Sequence, residues 1–213
     1  MEVHIPYVRN EYKEPTNNDT AVALDPGFKT FQTFYSNETC GKYQQDEHRM
    51  KRICDMLDYY KWTLNTKWHA SKYVKYKTDK LYRKQLHLVE EMHSRIINDI
   101  TSKYNWIFLP TFETQDMLEG RGYTKGKRDV KRHAYQLCHF KFKERLKHRC
   151  HQMKNSKVLI VSEAWTTKTC SGCGWIWSDM TTKDRMFTCK SCKLEIDRDI
   201  NGARNIMIRT LTG

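Results

Sequence analysis

The spacing of apolar residues changes several times along the chain, and the changes divide it into elements. Met1 to Thr20 is polar, contains Pro6 and Pro15, and ends in Thr16-Asn17-Asn18-Asp19, so residues 1–20 read as a lead-in segment. Thr20 to Asp25 is short and apolar, and Pro26-Gly27 breaks it. Phe28 to Ser36 then alternates, which predicts two neighbouring strands joined by a tight reversal. Met50, Ile53, Leu57, Tyr60 and Leu64 recur at helical spacing, as do Tyr82, Leu86, Val89, Ile96 and Ile100. These predict an antiparallel helical hairpin, with Lys72 to Thr78 as its connection. Trp106 to Pro110 is a third strand and Val130 to about Cys150 a third helix. Val158 to Val161 is predicted as a buried strand, and about Asp199 to Leu211 as a closing helix. Strands interleaved with helices in this order make an α/β fold.

Length and composition narrow the picture. A chain of 213 residues suits one domain, or one domain with a small module, and its twelve Tyr, eight Phe and six Trp supply a core although only 38% of residues are apolar. No run approaches the roughly eighteen apolar residues of a membrane span. The opening residues lack a signal-peptide pattern, so an intracellular, non-secreted protein is expected. Eight cysteines in such a chain imply metal or free thiols rather than disulfides.

The net charge of +13 is unevenly spread: Arg121 to Lys157 holds thirteen Lys and Arg against two acids. A solvated basic helix would look the same, but a polyanion is the natural partner of this field. Arg121, Lys125, Lys127, Arg128, Lys131, Arg132, Lys141, Lys143 and Arg145 are the expected nucleic-acid contacts.

Two motifs carry chemistry. Cys170-x2-Cys173 and Cys189-x2-Cys192 stand fifteen residues apart, each on a tight turn. Two thiolates per turn, brought face to face by a β-ribbon, form a tetrahedral sulfur site for one Zn²⁺. Four ligands close such a site, so the expected zinc is structural. Trp175, Ile176, Trp177, Met186 and Phe187 are expected to form its small core, and Cys40, Cys54, Cys138 and Cys150 to be ordinary buried or half-buried thiols. The second motif is a set of carboxylates far apart in the chain. Asp25 ends an apolar strand, Glu163 follows another, and Asp199 stands at a helix start, where the helix dipole favours an anion. Each is equally a residue type that caps helices or faces solvent. Brought together, they would suit two Mg²⁺ ions and phosphodiester cleavage. Gly202 and Ala203 would let the last helix lie close on the sheet.

The run Glu163-Ala164-Trp165-Thr166-Thr167-Lys168-Thr169-Cys170-Ser171-Gly172-Cys173-Gly174, the second Cys-x2-Cys, and Asp197-Arg198-Asp199-Ile200-Asn201-Gly202-Ala203-Arg204-Asn205-Ile206 resemble the C-terminal end of the TnpB-type transposon-encoded nucleases. Their relatives are the Fanzor proteins and the type V CRISPR effectors. Leu24-Asp25-Pro26-Gly27-Phe28-Lys29-Thr30 resembles the first RuvC motif of that group. The resemblance implies an RNase H-like (RuvC) fold with a helical-hairpin insertion and an inserted four-cysteine zinc ribbon. Residues 21–163 and 196–213 would form the nuclease domain and 164–195 the ribbon. It further implies Mg²⁺-dependent DNA cleavage, with Asp25 and Asp199 as catalytic acids and Asp197 ranked behind Asp199. At the second motif Pro110 stands where the bacterial proteins carry Glu. The sequence is Fanzor-like there, which transfers the role to Glu163, with Glu113 as competitor.

The family places a large N-terminal recognition lobe before this domain, whereas 24 residues precede Asp25 here. The chain is therefore expected to be the nuclease lobe alone. Its expected partners are DNA, a guide RNA, and a protein partner supplying the missing lobe. The leading expectation is a transposon-associated endodeoxyribonuclease of an RNA-guided system. The alternative is a catalytically inactive, nucleic-acid-binding remnant of one.

Overall fold

The computed structural model describes residues 20–66, 72–112, 132, 134–153, 156–162, 166–181 and 184–212. Its centre is a five-stranded mixed sheet of β1 (Ala21–Pro26), β2 (Gln32–Ser36), β3 (Cys40–Tyr43), β4 (Trp106–Pro110) and β5 (Lys157–Val161), in the order β3-β2-β1-β4-β5. The first three strands are antiparallel neighbours, while β4 runs parallel to β1 and β5 parallel to β4. The β1-to-β4 connection carries two helices, α1 (Glu47–Thr66) and α2 (Lys72–Lys103). The β4-to-β5 connection carries α3 (His139–Gln152), and α4 (Arg198–Thr212) closes the chain.

Side chains alternate across β1 and split the core in two. Val22 and Leu24 face one way, with Phe31, Ile107 and Leu109, and pack on Met92, Ile96, Ile97 and Ile100 of α2 and Phe142 and Leu146 of α3. Ala23 faces the other way with Phe108, against Ile206 and Met207 of α4. Each fully buried aliphatic side chain contributes about 1.5–3 kcal/mol, so the larger core on the α2/α3 face anchors the sheet. The small Ala23 leaves room for α4 to approach closely, and Gly202 and Ala203 of α4 are buried there, as their size predicts.

Five expectations need correction. Lys72 to Thr78 is the first part of α2, not the hairpin connection. No proline or glycine interrupts it, and Thr78 turns its hydroxyl back onto the Val74 carbonyl. Tyr82 and Leu86 are each 41% exposed, and the buried stripe of α2 runs instead through Gln85, Val89, Met92, His93, Ile96 and Ile100. That stripe faces α1 and then the sheet, and it takes polar residues where α1 is its neighbour. The helix expected over Val130 to Cys150 is broken at Leu137–Cys138, where Cys138 adopts the left-handed conformation (φ 51°). Val158 to Val161 forms an edge strand, and Leu159 and Ile160 are each 40% exposed, because β4 is its single strand neighbour in the sheet. Phe28 to Phe31 turns before β2 begins at Gln32, and β3 was not anticipated, since Cys-Gly-Lys-Tyr has no apolar alternation.

Candidate functional site

In a sheet with parallel strands, functional groups gather beyond the strands' C-terminal ends. Asp25 lies at that end of β1, on the Ala23 side and so towards α4. The register places Asp25 opposite Thr33, and Thr33 opposite Lys42, so these three form a row across β1, β2 and β3. Helix α4 meets this row at its first two turns. A Cβ added at Gly202 would stand 2.7 Å from Asp25 Oδ2, so glycine is what lets that carboxylate lie against the helix. Asp199 precedes Gly202 by three residues and therefore shares its face of α4.

The two acids that open α4 are differently engaged. Asp197 is the helix cap: its Oδ1 accepts the backbone N–H groups of Asp199 (3.0 Å) and Ile200 (3.2 Å). Its Oδ2 accepts from Lys42 Nζ at 2.7 Å. The same ammonium is 3.5 Å from Asp199 Oδ2. Burial works against the Asp197 charge, but Lys42 and the two backbone N–H groups outweigh it and hold this carboxyl below the ordinary range. Burial likewise opposes the Lys42 charge, and both aspartates overcome it and raise the ammonium's proton affinity. Asp197 is thus engaged on both oxygens. Lys42 was missed in the sequence because β3 itself carried no recognisable pattern.

The same helix fastens the cysteine module. Asn201 Oδ1 accepts the Ser171 N–H, and its Nδ2 donates to Thr169 O at 2.8 Å. Asn205 Nδ2 donates to Thr166 O and Thr169 O at 2.7 and 2.6 Å. The chain before Cys170 is therefore clamped to α4, while the short sheet of β6 (Met186–Thr188) and β7 (Glu195–Asp197) leads straight into it.

Cys170, Cys173, Cys189 and Cys192 bring all four sulfurs within 4.8 Å of one another. Among the described residues this is the one group of three or more His, Cys, Asp or Glu gathered so closely. Cys170 and Cys192 are 3.6 Å apart, as are Cys173 and Cys189. A tetrahedron with zinc–sulfur bonds of about 2.3 Å has sulfur–sulfur edges of about 3.8 Å, so the cluster fits and can hold one zinc ion. At Cys189 burial is outweighed by the N–H groups of Cys192 and Ser191 and by the neighbouring sulfurs, which lower the thiol, whereas at Cys192 the Leu194 backbone is outweighed by burial and the same sulfurs, which raise it. Around the cluster pack Met180, Phe187, Trp175, Trp177, Leu194 and Ile196. The expected core members Ile176 and Met186 are each 53% exposed, because the ribbon has only one apolar side. Of the other cysteines, Cys54 and Cys150 are buried and Cys138 is half-buried. Cys40 is exposed, contrary to expectation, because it sits on the edge strand β3.

Glu163 and Glu113 lie outside the described residues, as do Arg121, Lys125, Lys127, Arg128 and Lys131. The strand before Glu163 does run beside β4, with Val161 paired to Pro110, as the second-motif argument requires. Of the expected basic contacts that are described, Arg132 pairs with Asp58 and Arg145 with Glu90, both acids of the helical hairpin. Lys143 stands over the exposed ring of Phe140 at 5.4 Å, and Lys141 is exposed on α3. No helix among the described residues is long and apolar enough to cross a membrane.

A family model described as "Cas12f1-like, TNB domain" matches residues 139–206. A TnpB-like protein of Acanthamoeba polyphaga mimivirus is 27% identical over 210 residues, covering 95% of this chain and 39% of its own length. A protein of Paramecium bursaria Chlorella virus 1 named as a candidate transposase is 35% identical over 133 residues, covering 62% of this chain and 29% of its own. Among solved structures, the Cas12f1 chain of a complex with sgRNA and target DNA matches with a TM-score of 0.60 at 18% identity, over 92% of this chain and 50% of that one. A Cas12f chain in a ternary complex gives a TM-score of 0.59 at 17% identity, over 94% of this chain and 40% of that one. The chain spans about two fifths of the length of the mimivirus relative.

Proposed function

We propose that this TnpB-type relative of the type V effectors is the nuclease portion of a transposon-associated, RNA-guided system and hydrolyses DNA phosphodiester bonds. The observation that carries the reading is the meeting of Asp25 and α4: its carboxylate lies against Gly202, one turn from Asp199, at the C-terminal rim of the sheet. The strand order β3-β2-β1-β4-β5 with an antiparallel β2–β3 arm supports an RNase H-like (RuvC) fold. On that reading residues 21–163 and 196–213 are the nuclease domain, 164–195 is a zinc ribbon, and 1–20 leads in. The helical hairpin is an insertion between β1 and β4.

Carboxylate oxygens are the donors Mg²⁺ prefers, and it needs few from the protein because water and phosphate complete its shell. Asp25 and Asp199 fit by donor type, both being carboxylates at the same rim of the sheet. Asp25, Asp199 and Glu163 would hold two such ions. When bound, the metals would supply Lewis-acid stabilisation of the leaving oxygen and a hydroxide-like water. The chain's own contribution is orientation. Gly202 admits the Asp25 carboxylate, the Asp197 cap fixes the first turn of α4 and with it Asp199, and Asn201 and Asn205 brace that helix on the cysteine module. The basic face from Arg121 to Arg145 would hold the strand by its phosphates, with DNA and guide RNA as partners.

The test is cleavage of single-stranded and bubbled DNA by the purified chain with Mg²⁺. Asp25→Ala, Asp199→Ala and Glu163→Ala should each reduce the rate by at least about a hundredfold while DNA binding changes little, and Glu113→Ala should matter much less. Undiminished cutting by Asp25→Ala or Asp199→Ala would overturn the site. DNA binding with no cleavage by the parent chain would make the protein a binding remnant.

A further inference from the structure

Lys42 has no task in the nuclease reading, although it touches both acids that open α4. It comes from β3, two strands away from Asp25 in the same cross-sheet row, and its ammonium lies between the two acids that open α4. The contact is unequal: 2.7 Å to Asp197 and 3.5 Å to Asp199. Asp197 spends its other oxygen on the helix cap and so has a structural reason to stay where it is. Asp199 is the acid with capacity to spare. All three side chains are between 28% and 31% exposed, which leaves the cluster open enough for an ion to enter but screens its charges less than full exposure would.

We propose that Lys42 is a tethered counter-cation of this site: it offsets part of the paired charge of Asp197 and Asp199 in the metal-free chain and competes with the divalent ion for Asp199. The inference rests on the reading of Asp199 as a metal ligand. Two carboxylates two residues apart, with a third on β1, repel one another when nothing compensates them. A lysine supplied by the sheet relieves part of that repulsion and couples the first turn of α4 to β3 without any bound ion. The cost falls on metal binding. A divalent ion on Asp199 stands close to a fixed ammonium, and the repulsion between them weakens its hold. Asp197 provides the retreat, since Lys42 keeps its shorter contact there when Asp199 turns to the metal. Lys42 is in this sense a positioning residue and not a catalytic one.

The experiment is a calorimetric titration of the complete chain with Mn²⁺ alone, using the parent, Lys42→Met, Lys42→Arg and Asp199→Asn. Lys42→Met keeps the stem and removes the charge, and should bind Mn²⁺ roughly tenfold more tightly, an order of magnitude set by one nearby charge in a partly screened site. Its metal-free melting temperature should fall, and saturating Mn²⁺ should recover more of it than in the parent. A merely structural lysine would weaken metal binding when lost, so the direction of the change is diagnostic. Lys42→Arg retains the charge and should bind within about twofold of the parent. Unchanged or weaker binding by Lys42→Met overturns the proposal. So does equally tightened binding by Lys42→Arg, and that comparison remains decisive if Lys42→Met does not fold. Asp199→Asn separates the two readings: if it leaves Mn²⁺ affinity untouched, Asp199 is not a ligand and the metal assignment fails first.

Discussion

Asp197 and Asp199 show how little a residue type says about its task. They differ by two positions and one receives two backbone N–H groups while the other faces the Asp25 side of α4. His93 makes the same point inside the core. Its Nε2–H donates to Leu137 O at 2.9 Å, its ring stacks on Phe31, and its buried Nδ1 has no partner among the described residues. Burial pushes its pKa down to about 4. The Leu137 carbonyl opposes this and Arg145 reinforces it. Between pH 6.5 and 4 the unfolded chain therefore takes up a proton that the folded chain refuses. Stability is complete above about pH 6.5 and should fall by up to roughly 3 kcal/mol as the pH drops towards 4. Urea denaturation of the parent and of His93→Gln at several pH values checks this. The gap between their pH slopes should open only in that window, and parallel slopes would show that His93 is not buried neutral.

Helix α4 integrates more of the site than any other element. It buries Ile206 and Met207 on the sheet, presents Asp199 and Gly202 to β1, and holds the cysteine module through Asn201 and Asn205. Strands β6 and β7, three residues each, are far too short to stand without a cross-link. Metal binding in so small a module is folding energy. A strong zinc chelator should therefore release one zinc per chain, expose all four cysteines to alkylation, and collapse the near-ultraviolet signal of Trp175 and Trp177. Freshly purified protein without zinc, and with four freely alkylated cysteines, would refute the zinc site. The hairpin of α1 and α2 is a contrasting case. Its inner half packs through Met50, Cys54 and Val89, while Tyr59, Trp62, Tyr73 and Tyr76 are between 53% and 61% exposed, so its outer half adds little to the core.

Across the chain as a unit, net charge of +13 predicts association with a polyanion and strong dependence on salt. Arg132 and Arg145 are already paired with Asp58 and Glu90, so they should contribute less to phosphate binding than Lys141 and Lys143. Affinity for single-stranded DNA should fall at least about tenfold between 50 and 200 mM salt, with little dependence on sequence. Lys141→Ala with Lys143→Ala should lower the slope of log affinity on log salt by about 1 to 2, and Arg132→Ala by less. An unchanged slope in the double variant would remove α3 from the interface.

Local patterns accounted for much of this protein. Apolar spacing revealed β1, β4, β5, the two long helices and α4, because burying one side of an element leaves a periodic trace in the chain. The paired Cys-x2-Cys spacing announced the sulfur cluster, since a tight turn puts both thiols on one ion-sized site wherever it occurs. Asp25 and Asp199 were legible through the motifs around them. The approach of Asp25 to Gly202 of α4 was not, because a carboxylate's neighbours are set by strand order and helix docking and not by the residues beside it in the chain. The same holds for Lys42, whose strand has no apolar rhythm and whose partners lie 155 and 157 positions away. It holds too for the clamp of Asn201 and Asn205 on the first cysteine turn, and for the exposure of β5. Lys42 and the two asparagines meet partners from segments remote in sequence, and only the packed sheet with α4 across it brings them within hydrogen-bonding distance, while β5 is exposed because the strand order leaves it at an edge.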